Sequence, residues 1–317
     1  MKRFPAFGKF SEIYPMKLPE IHIPIIEIPA GGKVRLFMKR EDLVHPEISG
    51  NKYWKLFYNI NHYLDSQPQE PLIITFGGAY SNHISAVAAL GKNLGIRTLG
   101  IIRGDELSDR WMYNPTLHFA HCCGMDFRFV SRTAYRDKTP LTLQLKNEFP
   151  NALVVPEGGT NLLAVEGVRH MLNEETKSFD YLCTAVGTGG TVAGISKFSN
   201  ENQKVMGFKV VDDQSVEKRV SQLSPIRKVE FMEAHFGGYG KITDENVRFI
   251  NGFSESFGIP LDPVYTGKMM QKIFELIDQG FFPENSRILA FHTGGLQGID
   301  GANTLLAKQH RTLIEKI

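Results

Sequence analysis

Residues 181–198, YLCTAVGTGGTVAGISKF, combine an apolar strand, a glycine-rich turn and the start of a helix. Residues 71–95, 152–175 and 287–306 follow the same plan, each with a glycine pair after the strand. Apolar strands that run into glycines and then into helices predict parallel strands joined by right-handed crossovers. The sequence therefore predicts an α/β fold with mainly parallel sheets, covered by helices on both faces.

The composition is that of an ordinary globular protein. The chain has 317 residues, which is long for a single core, with 42% hydrophobic and 22% charged residues. A net charge of +2 without a run of like charges argues against nucleic-acid and membrane-surface partners. We expect no membrane span and no signal peptide, since neither kind of apolar segment is present. Three cysteines without a disulfide pattern predict a cytoplasmic location.

The segment HFAHCC, residues 118–123, was considered as a metal site. On a helix, His118, His121 and Cys122 would share one face. No second cluster of ligands with suitable spacing follows in the sequence. The prediction is therefore ordinary helix packing, without a metal.

The glycines predict a shared ligand site. In open α/β sheets, ligands bind at the carboxyl ends of the strands, where all four glycine clusters fall. One such cluster could be a tight turn alone, but four favour a common site. The loop Gly187, Thr188, Gly189, Gly190 and Thr191 leads into a helix whose free N–H groups suit a phosphate. It lacks the Gly-Lys-Ser/Thr ending of a Walker loop.

A nicotinamide site is the alternative from a different class of enzyme. Reading G-x-G-x-x-G from Gly187 places Val192 where the third glycine belongs. Asp212 and Asp213 follow near the end of an apolar strand predicted over residues 205–211. A nicotinamide-dependent oxidoreductase therefore stays open as an alternative, although it gives no role to Lys52.

Lys52 lies in SGNKYWKLFYNI, residues 49–60, at the opening of a predicted helix. A lysine beside a phosphate cradle is what pyridoxal phosphate requires, because the amine condenses with the aldehyde of the cofactor. A desolvated, electropositive setting lowers the pKa of an amine, so that it can act as nucleophile and base. The competing interpretation is a lysine that faces solvent on an amphipathic helix.

The chain resembles the 1-aminocyclopropane-1-carboxylate deaminase and D-cysteine desulfhydrase family of fold type II pyridoxal phosphate enzymes, which are tryptophan-synthase-β-like. The resemblance spans nearly the whole chain. The segments that carry it are KREDLVHPEISGNKYWKL (39–56), TFGGAYSNHISAVAALGKNLG (75–95), GTGGTVAGI (187–195), LDPVYTGKMM (261–270) and FHTGG (291–295).

The resemblance implies a role for each motif. Lys52 is then the lysine that forms the Schiff base, and the loop of residues 187–191 binds the phosphate. Asn82 hydrogen-bonds the phenolic oxygen of the cofactor, while Ser81 and the backbone at His83 hold the substrate carboxylate. The non-catalytic alternative, a scaffold that kept only the fold, is disfavoured because these motifs all survive.

The departures from the family point to one type of reaction. The deaminases carry a glutamate facing the pyridine nitrogen where this chain has Thr266, which leaves Thr293 as the implied partner of that nitrogen. An unprotonated ring is a weaker electron sink, which favours β-elimination over cyclopropane opening. The implied substrates are D-cysteine or a related β-substituted D-amino acid, giving pyruvate and ammonia. The alternative is 1-aminocyclopropane-1-carboxylate deamination.

Two tyrosines are implied over the substrate, Tyr239 and Tyr265. A phenol acts as acid or nucleophile only if its pKa is lowered, and each could instead pack as an amphipathic core residue. The segments Tyr53-Trp54 and Leu296-Gln297 depart from the family, and we expect both to lie close to the substrate pocket.

The resemblance also implies the architecture. Two three-layer α/β domains would hold the cofactor at their interface. Residues 48–165 would form the small domain, and residues 1–47 with 166–317 the large one. A homodimer is expected by analogy alone.

Overall fold

The computed structural model describes residues 15–226, 228–238 and 240–316. Within these ranges the strands form two sheets. The large sheet has the order β1-β2-β10-β7-β8-β9, and the small sheet has the order β5-β4-β3-β6. The strands are β1 Ile25–Ile28, β2 Arg35–Lys39, β3 Leu72–Gly77, β4 Arg97–Arg103, β5 Met125–Val130, β6 Leu153–Val155, β7 Tyr181–Val186, β8 Lys204–Lys209, β9 Val229–Glu233 and β10 Arg287–Phe291.

The α-helices of the described residues cover both sheets. They are α1 Asn51–Asp65, α2 Asn82–Leu94, α3 Pro115–Cys122, α4 Arg132–Arg136, α5 Lys138–Glu148, α6 Leu162–Val168, α7 Gly190–Phe198, α8 Val216–Leu223, α9 Asp244–Phe257, α10 Thr266–Asp278 and α11 Gly298–Lys308. All strand pairs are parallel except β1 with β2. The predicted α/β class with mainly parallel sheets is confirmed.

The alternation of side chains along the strands builds three apolar cores. In β3, Ile73 belongs to a core that extends into the large sheet, whereas Ile74 belongs to a separate core that includes Leu145 of α5. Successive strand residues point to opposite faces, so both faces of the small sheet are covered. A third core, which includes Phe208 and Met269, covers the other face of the large sheet. The first core is continuous between the sheets and holds them together.

The carboxyl ends of the central strands face one another across this shared core. Helix α2 follows β3, and helix α7 follows β7, each after a glycine-containing turn. Ser81 caps α2, because its Oγ accepts a hydrogen bond from the backbone of Ile84 at 3.3 Å. The sheet geometry therefore brings together the motifs that the sequence places at separate strand ends.

Candidate active site

One cavity of about 560 Å³ lies between the carboxyl ends of strands from both sheets. Its volume falls in the range of small-molecule sites, which is about 300–1,000 Å³. The cavity brings together most of the predicted site residues. Those that line it are Lys52, Ser81, Asn82, His83, Gly187, Thr188, Gly189, Gly190, Thr191, Tyr265 and Thr293. Tyr239, also predicted for the site, lies outside the described residues.

The loop between β7 and α7 forms an open cradle. A Cβ atom added to Gly190 would lie 2.9 Å from Thr160 Oγ1 and 3.1 Å from Lys55 Nζ. Only a residue without a side chain leaves this space, and the first N–H groups of α7 have no acceptor within the helix. The hydroxyls of Thr160 and Thr188 are 2.5 Å apart at the edge of the cradle. A phosphate group fits this set of donors.

Lys55 supplies the positive charge of the cradle and is not among the site residues predicted from the sequence. Its side chain is buried, and its Nζ donates to Gly158 O and, at 2.9 Å, to Thr160 Oγ1. Burial, together with the neighbouring amine of Lys52, holds the pKa of Lys55 well below its usual range. The spacing of three residues between Lys52 and Lys55 was the available signal, since it places both on one helix face.

Lys52 is linked to the same loop through Asn51. The Nζ of Lys52 donates to Asn51 Oδ1 at 2.8 Å, and Asn51 Nδ2 donates to Thr191 Oγ1 at 2.7 Å. Burial lowers the pKa of Lys52 to about 8, against a smaller opposite effect from the carboxylate of Asp262. The lowered pKa raises the fraction of this amine that is uncharged near neutral pH and able to act as a nucleophile.

A close backbone contact places Lys52 at the junction of the sheets. Gly50 has φ 65° and directly precedes α1, and a Cβ there would lie only 2.0 Å from Thr293 O. Its neighbour Asn51 donates its backbone N–H to the same carbonyl at 3.4 Å. Helix α1 therefore starts against the end of β10, which only glycine permits at this distance.

Tyr53 and Trp54 do not line the cavity, contrary to the expectation from the sequence. The hydroxyl of Tyr53 donates to Lys17 O at 2.5 Å, and Trp54 Nε1 donates to Glu41 Oε2 at 2.6 Å. Glu41 is fully buried and lies 3.2 Å from the ammonium of Lys39. Both rings face away from the cavity because they lie on the side of α1 opposite to Lys52 and Lys55. They anchor the helix.

The end of β10 is supported from below by a buried polar cluster. Arg40 makes a bidentate ion pair with Asp42, at 2.7 and 2.9 Å. His292 bonds Pro260 O through Nε2 at 2.8 Å and accepts from the backbone of Gly294 through Nδ1 at 3.2 Å. These contacts hold the strand end that presents Thr293 to the cavity.

The start of α2 offers donors for a carboxylate. The Oγ of Ser81 accepts from the helix, so its own hydrogen remains available to a ligand. The imidazole of His83 points away, since its Nε2 bonds Thr75 Oγ1 at 2.8 Å and that hydroxyl donates to Val155 O at 3.0 Å. Burial and the nearby lysine amines Lys52 and Lys55 hold the pKa of His83 well below its usual range, which keeps the ring neutral.

Gln297 orients Asn82 through a contact between residues that are far apart in the sequence. The Nε2 of Gln297 donates to Asn82 Oδ1 at 2.5 Å. This leaves Nδ2 of Asn82 free to donate to an acceptor in the cavity. Leu296, in contrast, packs against the core of the large sheet. Of the two residues Leu296 and Gln297, which depart from the family pattern, only Gln297 bonds a predicted site residue.

Thr266 lies behind the cavity, and Thr293 lines it. The Thr266 side chain is buried, and its Oγ1 has no hydrogen-bond partner within the described residues. Asp262 accepts the backbone N–H groups of Val264, Tyr265 and Thr266 at 2.7–2.9 Å, which fixes the start of α10. Tyr265 in turn packs on Gly187, where a Cβ would lie 3.0 Å from its ring.

The described residues contain no group of three or more His, Cys, Asp or Glu side chains that could hold a metal ion. Cys122 Sγ lies 3.9 Å from His118 Nδ1, and His121 packs on the ring of Trp111. None of the helices in the described ranges is long and apolar enough to cross a membrane.

The comparisons with known proteins agree with this geometry. The family model described as "Pyridoxal-phosphate dependent enzyme" matches residues 16–294. A putative 1-aminocyclopropane-1-carboxylate deaminase of Pyrococcus horikoshii is 29% identical, covering 94% of this chain and 95% of the relative. The bifunctional D-cysteine desulfhydrase/1-aminocyclopropane-1-carboxylate deaminase of Arabidopsis thaliana is 30% identical, covering 83% and 73%. A crystal structure of an ACC deaminase homologue has a TM-score of 0.78 at 28% identity, covering 92% and 95%.

The fold and the cavity are those of an α/β enzyme in which a lysine, Lys52, lines the same cavity as a glycine-rich cradle that suits a phosphate. The chain belongs to the pyridoxal-phosphate dependent enzyme family, among the relatives of the 1-aminocyclopropane-1-carboxylate deaminases and D-cysteine desulfhydrases. The nicotinamide alternative is wrong. The family match contradicts it. Asp213, one of the two carboxylates that follow the strand, is instead bonded to Arg219 at 2.9 Å and to Ser215 at 2.6 Å.

Proposed function

We propose that this enzyme is a lyase that removes the β-substituent of a small amino acid, with D-cysteine or a related D-amino acid as substrate and pyruvate and ammonia as products. One observation carries the choice of reaction. Among the described residues that line the cavity, the carboxylates are Glu157 and Asp213, and both have cationic partners, Lys138 and Arg219. No free carboxylate remains to protonate a pyridine nitrogen, whereas the hydroxyl of Thr293 is available.

The residues of the cavity divide the work. Pyridoxal phosphate, when bound, supplies the electron sink that acidifies the Cα–H bond of the substrate. The cradle of residues 187–191 with Lys55 holds the phosphate, and Asn82 donates to the phenolic oxygen. Ser81 and the first backbone N–H groups of α2, including the N–H of His83, orient the carboxylate of the substrate. Lys52 would hold the cofactor through its Nζ, and the same amine would take the Cα proton of the substrate.

The overall reaction is balanced without an oxidant. The Cα–H bond breaks and its proton passes to Lys52 Nζ, while the substituent leaves Cβ with its bonding electrons. The proton on Lys52 Nζ passes to the leaving group. The released unsaturated amine shifts a proton from nitrogen to Cβ, and water hydrolyses the resulting imine to pyruvate and ammonia. We place Tyr265 over the substrate, since it lines the same cavity as the start of α2 and packs on Gly187. We assign the same role to Tyr239. Lys268 Nζ, which donates to His235 O and Gly238 O, holds the loop before it.

The substrate is tested by a panel of amino acids. Both enantiomers of cysteine, serine and β-chloroalanine, together with 1-aminocyclopropane-1-carboxylate, are assayed for keto-acid release. D-Cysteine and β-chloro-D-alanine are expected to give pyruvate, and the cyclopropane amino acid to be a poor substrate, because a neutral ring is a weak electron sink.

The second candidate is 1-aminocyclopropane-1-carboxylate deamination, which is favoured by the names of several relatives. Efficient release of 2-oxobutanoate from the cyclopropane, with none from the β-substituted alanines, would reverse the assignment. It would also show that a glutamate at the position of Thr266 is not required for ring opening.

Gln297→Glu is expected to lower cofactor affinity and kcat/KM by roughly tenfold, which is the cost of losing the hydrogen bond from Asn82 to the cofactor. The introduced carboxylate cannot donate to Asn82 Oδ1. The amide of Asn82 therefore flips, so that its Nδ2 donates to this carboxylate and its Oδ1 faces the cofactor. Gln297→Leu is the matched control, since it removes the partner without reversing the amide. Equal losses in the two variants would show that Gln297 does not set the orientation of Asn82.

We also propose the division into a small domain, residues 48–165, and a large domain formed by residues 1–47 and 166–317. It is supported by the sheets, because β3 to β6 fall in the first range and the other strands in the second. A cytoplasmic homodimer is the proposed form in the cell, on analogy and on the cysteine content.

A further inference from the structure

Arg103 is a cation of the cavity that has no anionic partner. The lysines and arginines that line the cavity are Lys52, Lys55, Arg103, Lys138 and Arg219. Lys138 pairs with Glu157 at 3.0 Å, and Arg219 pairs with Asp213 at 2.9 Å. The proposed function assigns Lys52 to the aldehyde and Lys55 to the phosphate. Only Arg103 is left without an assigned counter-charge among these residues.

The surroundings of Arg103 confirm that the guanidinium is available. Within the described ranges it makes no hydrogen bond or ion pair, and its side chain is half-buried. Its nearest aromatic neighbour is Tyr135, with the ring centroid 5.8 Å from Cζ. Glu157 already accepts from Tyr135 Oη at 2.9 Å and pairs with Lys138. A partly desolvated guanidinium without a partner is costly unless a ligand supplies the anion.

The guanidinium of Arg103 lies beside the turn that leads into α2, which relates it to the proposed substrate site. Arg103 ends β4, and a Cβ added to Gly78, which follows β3, would lie 3.5 Å from its Nη2. In the small sheet, β3 lies between β4 and β6, and β6 leads to the phosphate cradle. Two strand spacings separate these ends, about 10 Å. The turn from Gly78 to Ser81, closed by a 3.1 Å hydrogen bond, carries the proposed carboxylate site.

We propose that Arg103 binds an anionic β-substituent of the substrate, so that the preferred substrates are amino acids whose leaving group carries negative charge. This inference rests on the proposed function and extends its substrate class beyond D-cysteine and β-chloro-D-alanine, to amino acids whose β-substituent is an anion. When the α-carboxylate of the substrate is bound at the start of α2, the β-substituent faces the guanidinium of Arg103 next to Gly78. Arg103 pairs with this group in the bound substrate and with the departing anion, which leaves Cβ with its bonding electrons. Arginine suits such an oxyanion because its fork binds two oxygens at once.

The test compares O-phosphoserine with O-acetylserine, in both enantiomers, as β-oxygen esters that differ in charge. Wild-type enzyme is expected to have a higher kcat/KM for O-phosphoserine. Arg103→Gln is expected to lower the phosphoserine-to-acetylserine ratio by roughly 10- to 100-fold, mainly through KM, as for loss of a charged hydrogen bond. Arg103→Lys should restore part of the ratio. Arg132→Gln, which removes an exposed arginine outside the cavity, is the matched control and should keep it.

Two outcomes would overturn the proposal. An equal loss for both esters in Arg103→Gln would assign Arg103 to the α-carboxylate, and an unchanged ratio would make it a solvated cation at the rim. Binding is measured separately, by the change in visible absorbance when the holoenzyme is titrated with O-phosphoserine or serine. Arg103-dependent preference for O-phosphoserine without pyruvate release would sustain the anion site and reject the lyase. Pyruvate release without that preference would support the lyase and reject the anion site.

Discussion

Lys52→Ala is expected to abolish keto-acid release and covalent attachment of the cofactor together. The Nζ of Lys52 is proposed both to bind the cofactor and to take the substrate proton, and no other amine occupies its position. Lys55 cannot replace it, because its Nζ is held by Gly158 O and Thr160 Oγ1. The measurement is borohydride reduction of the wild-type holoenzyme followed by peptide mapping, which should place the cofactor on the peptide that contains Lys52.

The control for this experiment is Lys92→Ala, which removes an exposed lysine of α2. It should remain yellow and active. Labelling of a peptide without Lys52 in the wild type, or residual turnover in Lys52→Ala after complete removal of the cofactor adduct, would contradict the assignment.

Lys55→Met is expected to weaken binding of pyridoxal phosphate by roughly 100-fold or more, the cost of removing one partner of a buried charge pair. Binding of pyridoxal, which lacks the phosphate, should change far less. Equilibrium dialysis of the apoenzyme against the two compounds measures the difference. Lys92→Met is the matched control, and an equal loss for both compounds would mean that Met distorts the site instead of removing a phosphate contact.

The lowered pKa of Lys55 also predicts a pH dependence. Without a phosphate, burial favours the neutral amine, so Lys55 loses its proton well below the usual range for lysine. A bound phosphate favours the ammonium and raises this pKa again, so binding takes up a proton. Affinity should therefore fall as pH rises between these two pKa values in wild type, and this component should be absent in Lys55→Met.

The positions of these motifs in the fold could be predicted from the sequence because each motif is local. The glycine after a strand, the serine cap of α2 and the loop of residues 187–191 are encoded within a few residues, and strand ends in a parallel sheet must converge on one edge. Family resemblance added Lys52, Asn82 and Thr293, all of which line the cavity. Distance along the chain did not matter, since the topology of the sheets decides which strand ends meet.

The side-chain partners could not be predicted in the same way. Gln297 bonds Asn82 across 215 residues, and Asn51 reaches Thr191 across 140. Tyr53 and Trp54 adjoin Lys52 in sequence and were expected near the pocket, yet they face the opposite side of α1. A helix turns by about 100° per residue, so neighbours in sequence point in different directions.

The amino-acid sequence by itself determined the α/β class and the glycine turns at the strand ends, because periodicity and glycine placement act over short range. Only the tertiary structure decided which charges remain unpaired. Lys138 and Arg219 meet carboxylates, and Arg103 meets none, within the part of the chain that the structure describes. Whether a cation is neutralised depends on which strand ends and helix starts the packing brings within a few ångströms, and Coulomb interactions at that range are a property of the assembled cavity.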